Sequence, residues 1–403
     1  MNLTIKFSKE KIHTYMLIIF ILMMCRWMYL IPEAIFGVNT DDITLVFFIL
    51  YYGFCYIKYH KKNEQGKSYK GPIYLALLIC FVAAFKGNVN WEQSIMAGLL
   101  PQRYFFFILL SYLPIRNMIY LKKINVKSFL DAIIIVGIVA SILYLIQHFT
   151  YPKLIFINTL MNQRNGLRIY VDSVVIELMI MIVFERLLYD KKNKFYHIMV
   201  LLLGLAHVFL VSQGRLESSA IIATLFIGFL LWNKVSLLKI WGSGVIFGAV
   251  LWVVNSGIID TIIGTQNTLE IRFYGRSLYF EQLFSSISNL IFGCGYPNSL
   301  DASIASGSVN YIYLADNGIF AFFYVYGLLG LLFVFLFLIR AMGMSWRIYR
   351  VGGNILPLMF LIFNMILAYN ITFWWWKLEW IFVLVIYLSY LEHQNYKNKV
   401  IRY

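Results

Sequence analysis

Arginine residues in polar stretches between apolar runs are the side chains of this sequence best suited to chemistry. Arg272 and Arg276 lie four residues apart in NTLEIRFYGRSLYFEQLF, so a helix there would place both guanidinium groups on one face with Tyr279. Glu270 and Glu281 would fall on roughly the opposite face. Guanidinium groups without a carboxylate can form forked hydrogen bonds to phosphate oxygens. The stretch therefore favours an anion-binding site, with a lipid-headgroup contact as the simpler alternative.

Two further arginine residues lie beside other apolar runs. Arg168 begins RIYVDSVVIE with Asp172 four residues later, so ligand binding and an ion pair within a helix are equally consistent with the pattern. Arg215 lies in VSQGRLESSA, a short turn at the membrane boundary, where an arginine must be paired or bind a ligand. Glu217 is its alternative partner, and the tight polar turn before it favours a functional role.

Asp316 and Asn317 directly precede the apolar run GIFAFFYVYGLLGLLFVFLFLI. Either residue suits the amino-terminal cap of a helix, and the same carboxylate could also take a proton from a hydroxyl group. Upstream, the stretch IFGCGYPNS supplies a glycine turn whose backbone amides could approach a ligand.

The composition predicts that these stretches lie at the edge of a lipid bilayer. Hydrophobic residues make up 61% of the 403 residues and charged residues only 13%, with a mean hydropathy of +0.74. Soluble domains are nearer half apolar and a quarter charged. Such a chain cannot cover its apolar surface with polar groups, so we expect a multi-pass protein of the cell membrane.

About twelve apolar runs approach the ~17–25 residues that a membrane-spanning helix needs. They predict an all-α polytopic membrane protein with residues 1–403 forming a single integral membrane domain. The polar excursion at residues 256–316 is predicted to be one large extracellular loop within it. The runs are His13–Ile31, Ile43–Tyr59, Ile73–Phe85, Ile95–Leu113, Phe129–Phe149, Ile169–Leu188, Phe195–Val211, Leu216–Trp232, Leu237–Val254, Ile319–Ile339, Ile355–Asn370 and Phe373–Tyr390.

Basic residues decide the predicted orientation. Alternate connections, such as the one with Arg116, Lys122, Lys123 and Lys127, carry most of the lysine and arginine residues, which places them and both chain termini in the cytoplasm. The net charge of +15 is therefore a topology signal, and no nucleic-acid partner is needed to explain it. The basic residues that break this bias suit an anionic, lipid-attached ligand outside the cell. They are Arg164, Arg168, Arg215, Arg272 and Arg276, with weaker candidates at Lys86, Lys153 and Lys377.

The order of these motifs resembles that of the Wzy-like polysaccharide polymerase and WaaL-like O-antigen ligase families. The matching pieces are Arg168-Ile169, then SQGR, then RFYGRSL before IFGCGY, and finally ADNGIF followed by YGLLGLL. They cover the chain from Arg168 to about Arg340, which is less than half of its length. The ordered set is more specific than any single piece.

This resemblance implies a metal-independent membrane glycosyltransferase without cofactors. It would join undecaprenyl-diphosphate-linked oligosaccharide repeat units into capsular or exopolysaccharide at the outer face of the cytoplasmic membrane. In these families outer arginine residues hold the diphosphate of the donor while an acceptor hydroxyl attacks the anomeric carbon. Ligases usually carry a histidine shortly before the span that follows the large loop. Asp316 stands there in this chain, which favours the polymerase.

Carried over to this sequence, the resemblance assigns roles to six residues. Asp316 and Arg215 would be catalytic, and the substrate would be bound by Arg168, Arg272, Arg276 and Asn317. The expected partners are the lipid-linked donor and acceptor, the bilayer, a chain-length regulator and a flippase. A lipid-linked oligosaccharide flippase or transporter and an O-antigen-ligase-type transferase are the alternative functions.

Overall fold

The chain folds as a bundle of α-helices with two short β-hairpins, as the all-α prediction requires. A computed structural model describes residues 12–59, 69–154, 161–163, 167–171, 173–190, 192–232, 266–297, 314–369 and 377–400. Its α-helices are α1 (Ile12–Met24), α2 (Thr40–Tyr59), α3 (Lys70–Trp91), α4 (Ile95–Leu99), α5 (Arg103–Leu110), α6 (Tyr112–Tyr120), α7 (Val126–Thr150), α8 (Val174–Tyr189), α9 (Lys194–Ala206), α10 (Arg215–Leu231), α11 (Gln266–Phe284), α12 (Ile287–Phe292), α13 (Gly318–Gly352), α14 (Leu356–Leu367) and α15 (Leu378–Val400).

Shorter elements connect these helices. The strands form two antiparallel hairpins, β1 (Ala34–Ile35) with β2 (Val38–Asn39) and β3 (Met161–Gln163) with β4 (Leu167–Ile169). A single left-handed turn covers Arg26–Tyr29, and 3-10 turns cover Leu100–Gln102 and Leu314–Asn317. A π-helical turn, His207–Ser212, continues α9.

Six helical segments of the described part are long and apolar enough to cross a membrane. Helix α2 shows why lipid is the solvent around them. It buries Phe48 and Tyr52 in the bundle and exposes Phe47, Leu50 and Phe54 on its other face. A helix that is apolar on both faces needs an apolar solvent outside the protein. The chain is therefore a helical membrane protein.

Several helix boundaries differ from the predicted apolar runs. Helix α3 has 22 residues and is a full span, whereas its run Ile73–Phe85 is short, because polar residues at both ends continue the helix. The run Ile95–Leu113 is interrupted at Pro101 by a 3-10 turn, since proline lacks the amide hydrogen of a regular helix. Helices α1 and α14 have only 13 and 12 residues. The run Leu237–Val254 lies outside the described residues.

Helix α13 is broken at Gly327, where φ is 63° and ψ is −160°. At a helix end the carbonyl groups of the preceding turn lose their helical partners. Here the amide of Cys294 donates to the carbonyl of Tyr324 at 2.8 Å, and the amide of Gly295 donates to that of Val325 at 3.2 Å. The segment Gly293–Tyr296, called the GCGY segment below, therefore supplies donors at the break.

The other side of the GCGY segment is bound to α3 and the residues after it. The carbonyl of Cys294 accepts hydrogen bonds from Asn90 Nδ2 at 3.0 Å and from Trp91 Nε1 at 3.1 Å. Gln93 Nε2 donates to the carbonyl of Tyr296 at 2.6 Å. Irregular backbone at membrane depth is tolerated only where other protein groups form hydrogen bonds with its amides and carbonyls. Here α13, α3 and the residues after α3 supply those partners.

Glycine is required on both sides of this junction. Gly293, Gly295 and Gly327 all have positive φ, and a Cβ at any of them would clash with backbone atoms of the opposing segment. At Gly293 the clash would be with the carbonyl group of Val325. The close backbone approach therefore depends on the absence of side chains.

Arg116, one of the basic residues that the sequence assigns to the cytoplasmic side, is a buried ion-pair partner. Its Nε lies 2.5 Å from Glu392 Oε2 in α15, and the two side chains are only 5% and 3% exposed. The other carboxylate oxygen accepts a hydrogen bond from the amide of Tyr69 at 2.8 Å. Removing either partner would leave a buried charge, so the pair ties α6 to α15.

Replacing Gly327 by alanine is expected to lower the free energy of unfolding by about 2–5 kcal/mol, because the left-handed conformation and the backbone clash both oppose a Cβ. Thermal unfolding in detergent can be followed with a thiol-reactive dye, since Cys25, Cys55, Cys80 and Cys294 are all buried.

The matched control is Gly343→Ala in the same helix, where an added Cβ meets no atom within 4 Å. Its unfolding temperature should stay the same or rise slightly, because alanine favours the helix. Equal unfolding temperatures for the two variants would contradict the proposed role of the break.

Candidate functional site

Helices α14 and α15 define the end of the bundle at which the candidate residues lie. Phe363 stacks on Trp380 with 5.6 Å between ring centroids, whereas Phe360 contacts Tyr387 at 4.7 Å. The two helices are therefore antiparallel, and α15 begins where α14 ends. We call this end of the bundle the site end.

Helix α13 also begins at the site end, since the amide of Ile319 donates to the carbonyl of Ala368 at 2.8 Å. Asn317 occupies the predicted amino-terminal cap position of α13 and is 1% exposed, but its side chain forms no capping hydrogen bond. Asp316 lies in the 3-10 turn just before it. The side chain of Asp316 is outside the described part, so its predicted role as a base stays a prediction.

Arg276 is buried at the site end, with 6% of its surface exposed. Its guanidinium carbon lies 4.2 Å from the ring centroid of Phe320, 5.0 Å from that of Tyr369 and 5.6 Å from that of Phe273. Nη1 also lies 3.5 Å from the Tyr369 hydroxyl. Aromatic ring faces attract a guanidinium group and hold its plane, so these contacts fix the orientation of the charge.

An apolar cavity of about 260 Å³ is lined by Tyr369, one of the rings that contact Arg276. Ile319 and Tyr369 line one end of it, and Leu338 and Phe360 line it further from the site end. Phe360 and Tyr369 are nine residues apart, which is about 13 Å along a helix axis. The cavity is smaller than the ~300–1,000 Å³ of drug-sized pockets, so it suits a segment of a hydrocarbon chain.

The predicted helix around Arg276 is confirmed as α11, which continues through Gly275. Tyr279 lies on the buried face and stacks on Tyr324 of α13 at 4.5 Å, while Glu281 is exposed. The prediction that Arg276 and Tyr279 share one face of the helix and Glu281 lies on another is therefore confirmed. The side chain of Arg272 lies outside the described part.

Arg168 lies on strand β4, whereas the sequence interpretation placed it at the start of a helix that begins only at Val174. Its Nε donates to the carbonyl of Ser212 at 2.8 Å and Nη1 donates to the Tyr170 hydroxyl at 3.2 Å. The guanidinium carbon also lies 4.1 Å from the Tyr170 ring. Asp172 is outside the described residues, and within them Arg168 has no ion pair.

Arg215 is the first residue of α10 and directly follows the predicted turn. Its side chain lies outside the described part, so its catalytic role stays a prediction. Glu217, the alternative partner, accepts a hydrogen bond from the hydroxyl of Ser212 at 2.7 Å. Ser212 therefore links Glu217 through its side chain and Arg168 through its carbonyl.

Glu177 is a buried carboxylate at the site end, and it was not assigned to the site from the sequence. Glu177 is 0% exposed, and its Oε1 accepts a hydrogen bond from the Ser173 hydroxyl at 3.1 Å. Its Oε2 has no hydrogen-bond partner among the residues that the structure describes. Gly228, near the end of α10, packs closely against Phe184 of α8 and Met359 at the start of α14, so the first turns of α8 and α10 lie at the site end. A glutamate within an apolar run was the available signal.

The amides of the GCGY segment do not point at a ligand, contrary to the interpretation of IFGCGYPNS as a possible ligand-binding turn. Those of Cys294 and Gly295 bond to α13, and that of Tyr296 donates to the carbonyl of Ala83 at 3.3 Å. This stretch therefore positions α12 and, through it, α11, while the cationic side chains remain the candidate binding groups.

The structure thus places Arg168, Arg276 and Asn317 at the same end of the bundle. It also places the first residue of α10, Arg215, beside Ser212. A cation held on aromatic rings next to an apolar cavity can bind an anion that carries a hydrocarbon chain. No protein-family model matches the chain, and no curated protein sequence matches it.

Replacing Phe320 by leucine should weaken the hold on Arg276 and lower the free energy of unfolding, because the cation–π contact is lost. Phe323→Leu is the matched control. Like Phe320, Phe323 reaches the Phe280 ring from α13, with 6.3 Å between ring centroids, but within the described part of the chain no arginine lies over its ring. The Phe320 variant should be less stable than the control by about 0.5–2 kcal/mol in thermal unfolding. Each leucine substitution should then be made separately in the Arg276→Met protein, where the difference in stability between the two variants should vanish. A difference that persists there would contradict the contact between Arg276 and Phe320.

Proposed function

We propose that this protein is a membrane glycosyltransferase that joins undecaprenyl-diphosphate-linked oligosaccharide repeat units into capsular or exopolysaccharide. The observation that carries the proposal is Arg276, whose buried guanidinium group is held by aromatic rings beside an apolar cavity. The combination pairs a phosphate-binding group with a surface for a lipid chain. A lipid diphosphate has the matching parts, since its anionic diphosphate is attached directly to a hydrocarbon chain.

The proposed topology has about twelve membrane-spanning helices, both termini in the cytoplasm and residues 256–316 as a large extracellular loop. The site end would then face the outside of the cell, where lipid-linked repeat units arrive after a flippase has turned them over. The connections rich in lysine and arginine support this orientation, since such connections stay in the cytoplasm. Arg168 and Arg276 are exceptions to that bias, and binding of an anionic ligand would account for them.

In the proposed reaction a hydroxyl oxygen of the acceptor sugar forms a bond to the anomeric carbon of the donor. The bond from that carbon to the diphosphate oxygen breaks, and its electron pair stays on the diphosphate. Arg215, Arg272 and Arg276 would balance the charge on this leaving group, which lowers the barrier without a cofactor. Asp316 would take the hydroxyl proton, while Arg168 and Asn317 would orient the glycan.

Arg276→Ala is expected to reduce formation of long polymer by at least about 100-fold, because charge stabilisation of the leaving group is lost. The measurement is the chain-length distribution produced by purified protein in vesicles supplied with undecaprenyl-diphosphate repeat units. Arg276→Lys should also be impaired, since an ammonium group cannot reproduce the stacked, forked geometry.

The control for this test is Arg347→Ala, which removes an exposed arginine from the other end of α13, where it binds Asn395. It should leave chain length unchanged. Normal polymer from folded Arg276→Ala would refute the diphosphate assignment. In cells lacking the protein, single repeat units should accumulate on the outer leaflet. Accumulation on the inner leaflet would indicate a flippase, and loss only of transfer to a preformed lipid core would indicate a ligase.

A further inference from the structure

Lys86 is a buried lysine in α3 that the proposed site does not use. Its side chain is 8% exposed, and its Nζ lies 3.2 Å from the hydroxyl of Ser288 in α12. That is its one hydrogen bond within the described part of the chain, although an ammonium group has three donors. Ser288 offers a neutral oxygen, so the positive charge is not compensated there.

No carboxylate of the described residues forms an ion pair with Lys86. The carboxyl end of a helix stabilises cations, but this effect is confined to the last turn, and α3 continues for five residues to Trp91. One turn further along α3, a second polar contact with α12 is formed by neutral amides, since Asn90 Nδ2 donates to Asn289 Oδ1 at 3.2 Å. A buried charge is costly without a partner, and a charge inside a membrane span marks a binding site by default.

Lys86 and Arg276 lie at different places on the helix pair α11 and α12. Arg276 belongs to α11, and Ser288, which contacts Lys86, lies in α12, which begins after a short turn. The GCGY segment then fixes α12 against α3 and α13. One cation therefore lies near the middle of α11 and the other contacts the start of α12, and the 260 Å³ cavity shares Tyr369 with the rings around the first.

We propose that Lys86 binds the phosphate group of a second membrane lipid, distinct from the lipid held at Arg276. The identification of that lipid rests on the proposed function: a polymerase handles two lipid diphosphates at once, a donor and an acceptor. Arg276 would hold the donor, and Lys86 would hold the diphosphate of the acceptor. An ordinary anionic phospholipid has the same phosphate chemistry and is the other source.

The test counts lipids bound to the purified full chain by native mass spectrometry. The two probes are undecaprenyl diphosphate and phosphatidylglycerol, each titrated separately. The variant is Lys86→Met, which keeps an unbranched side chain of similar length but removes the charge. The matched control is Lys127→Met, which removes an exposed lysine just inside the start of α7.

We expect the wild-type protein and Lys127→Met to bind two molecules of undecaprenyl diphosphate. Lys86→Met should bind the second about tenfold more weakly or not at all, because charge-assisted hydrogen bonds are lost. Lys86→Arg should retain both because it keeps the charge, and binding of the first molecule by Lys86→Met would show that this variant is folded. Loss of a phosphatidylglycerol molecule instead would support the phosphate site and identify a phospholipid as its occupant.

Unchanged binding of both probes by Lys86→Met would overturn the inference. A failure of the proposed function would look different, since wild-type protein would then bind the lipids without extending any repeat unit.

Discussion

The fold around the candidate site depends on hydrogen bonds between two interrupted stretches of backbone. Helix α13 stops and restarts at Gly327, and the amides of Cys294 and Gly295 bond to the carbonyls exposed there. In an apolar environment each unsatisfied carbonyl would cost several kcal/mol, so neither the break nor the GCGY segment is stable without the other. The glycine residues on both sides are what allow the backbones to meet.

This junction also determines where the cations lie. It fixes α12 between α3 and α13, and the stacked pair Tyr279–Tyr324 fixes α11 along α13. Gln282 adds a hydrogen bond from the Tyr324 hydroxyl at 2.5 Å. Arg276 then reaches Phe320 and its aromatic neighbours, so the position of one charged group follows from a chain of backbone and ring contacts.

Much of this architecture can be predicted from the sequence, because it follows from local pattern. Apolar runs predicted an all-α membrane protein, and the spacing of Arg276, Tyr279 and Glu281 predicted the faces of α11. The prediction was wrong for Arg168, which heads an apolar run but lies on a strand. The pairing of Arg116 with Glu392, far away in sequence, was not predicted, because only the fold brings the two side chains together.

Other features have no local signal at all. Gly327 and Gly330 are both glycine residues in one apolar run, and only the partner at Gly293 distinguishes the broken position from the continuous one. The burial of Glu177 at the site end depends on α8 and α10 both beginning there. Nothing in the local sequence around Glu177 encodes that arrangement.

The interruption at Gly327 also divides α13 into two pieces that are attached to different helices of the bundle. The nine residues before Gly327 are attached to α11, α12 and the end of α14, whereas the longer piece after it is attached to α15 through Ser345–Tyr387 at 2.7 Å and Arg347–Asn395 at 2.8 Å. A rigid continuous rod would transmit any tilt from one membrane face to the other. Because α13 is interrupted, we expect a tilt of the short piece to reach the longer piece only through the hydrogen bonds and packing at the Gly327 junction.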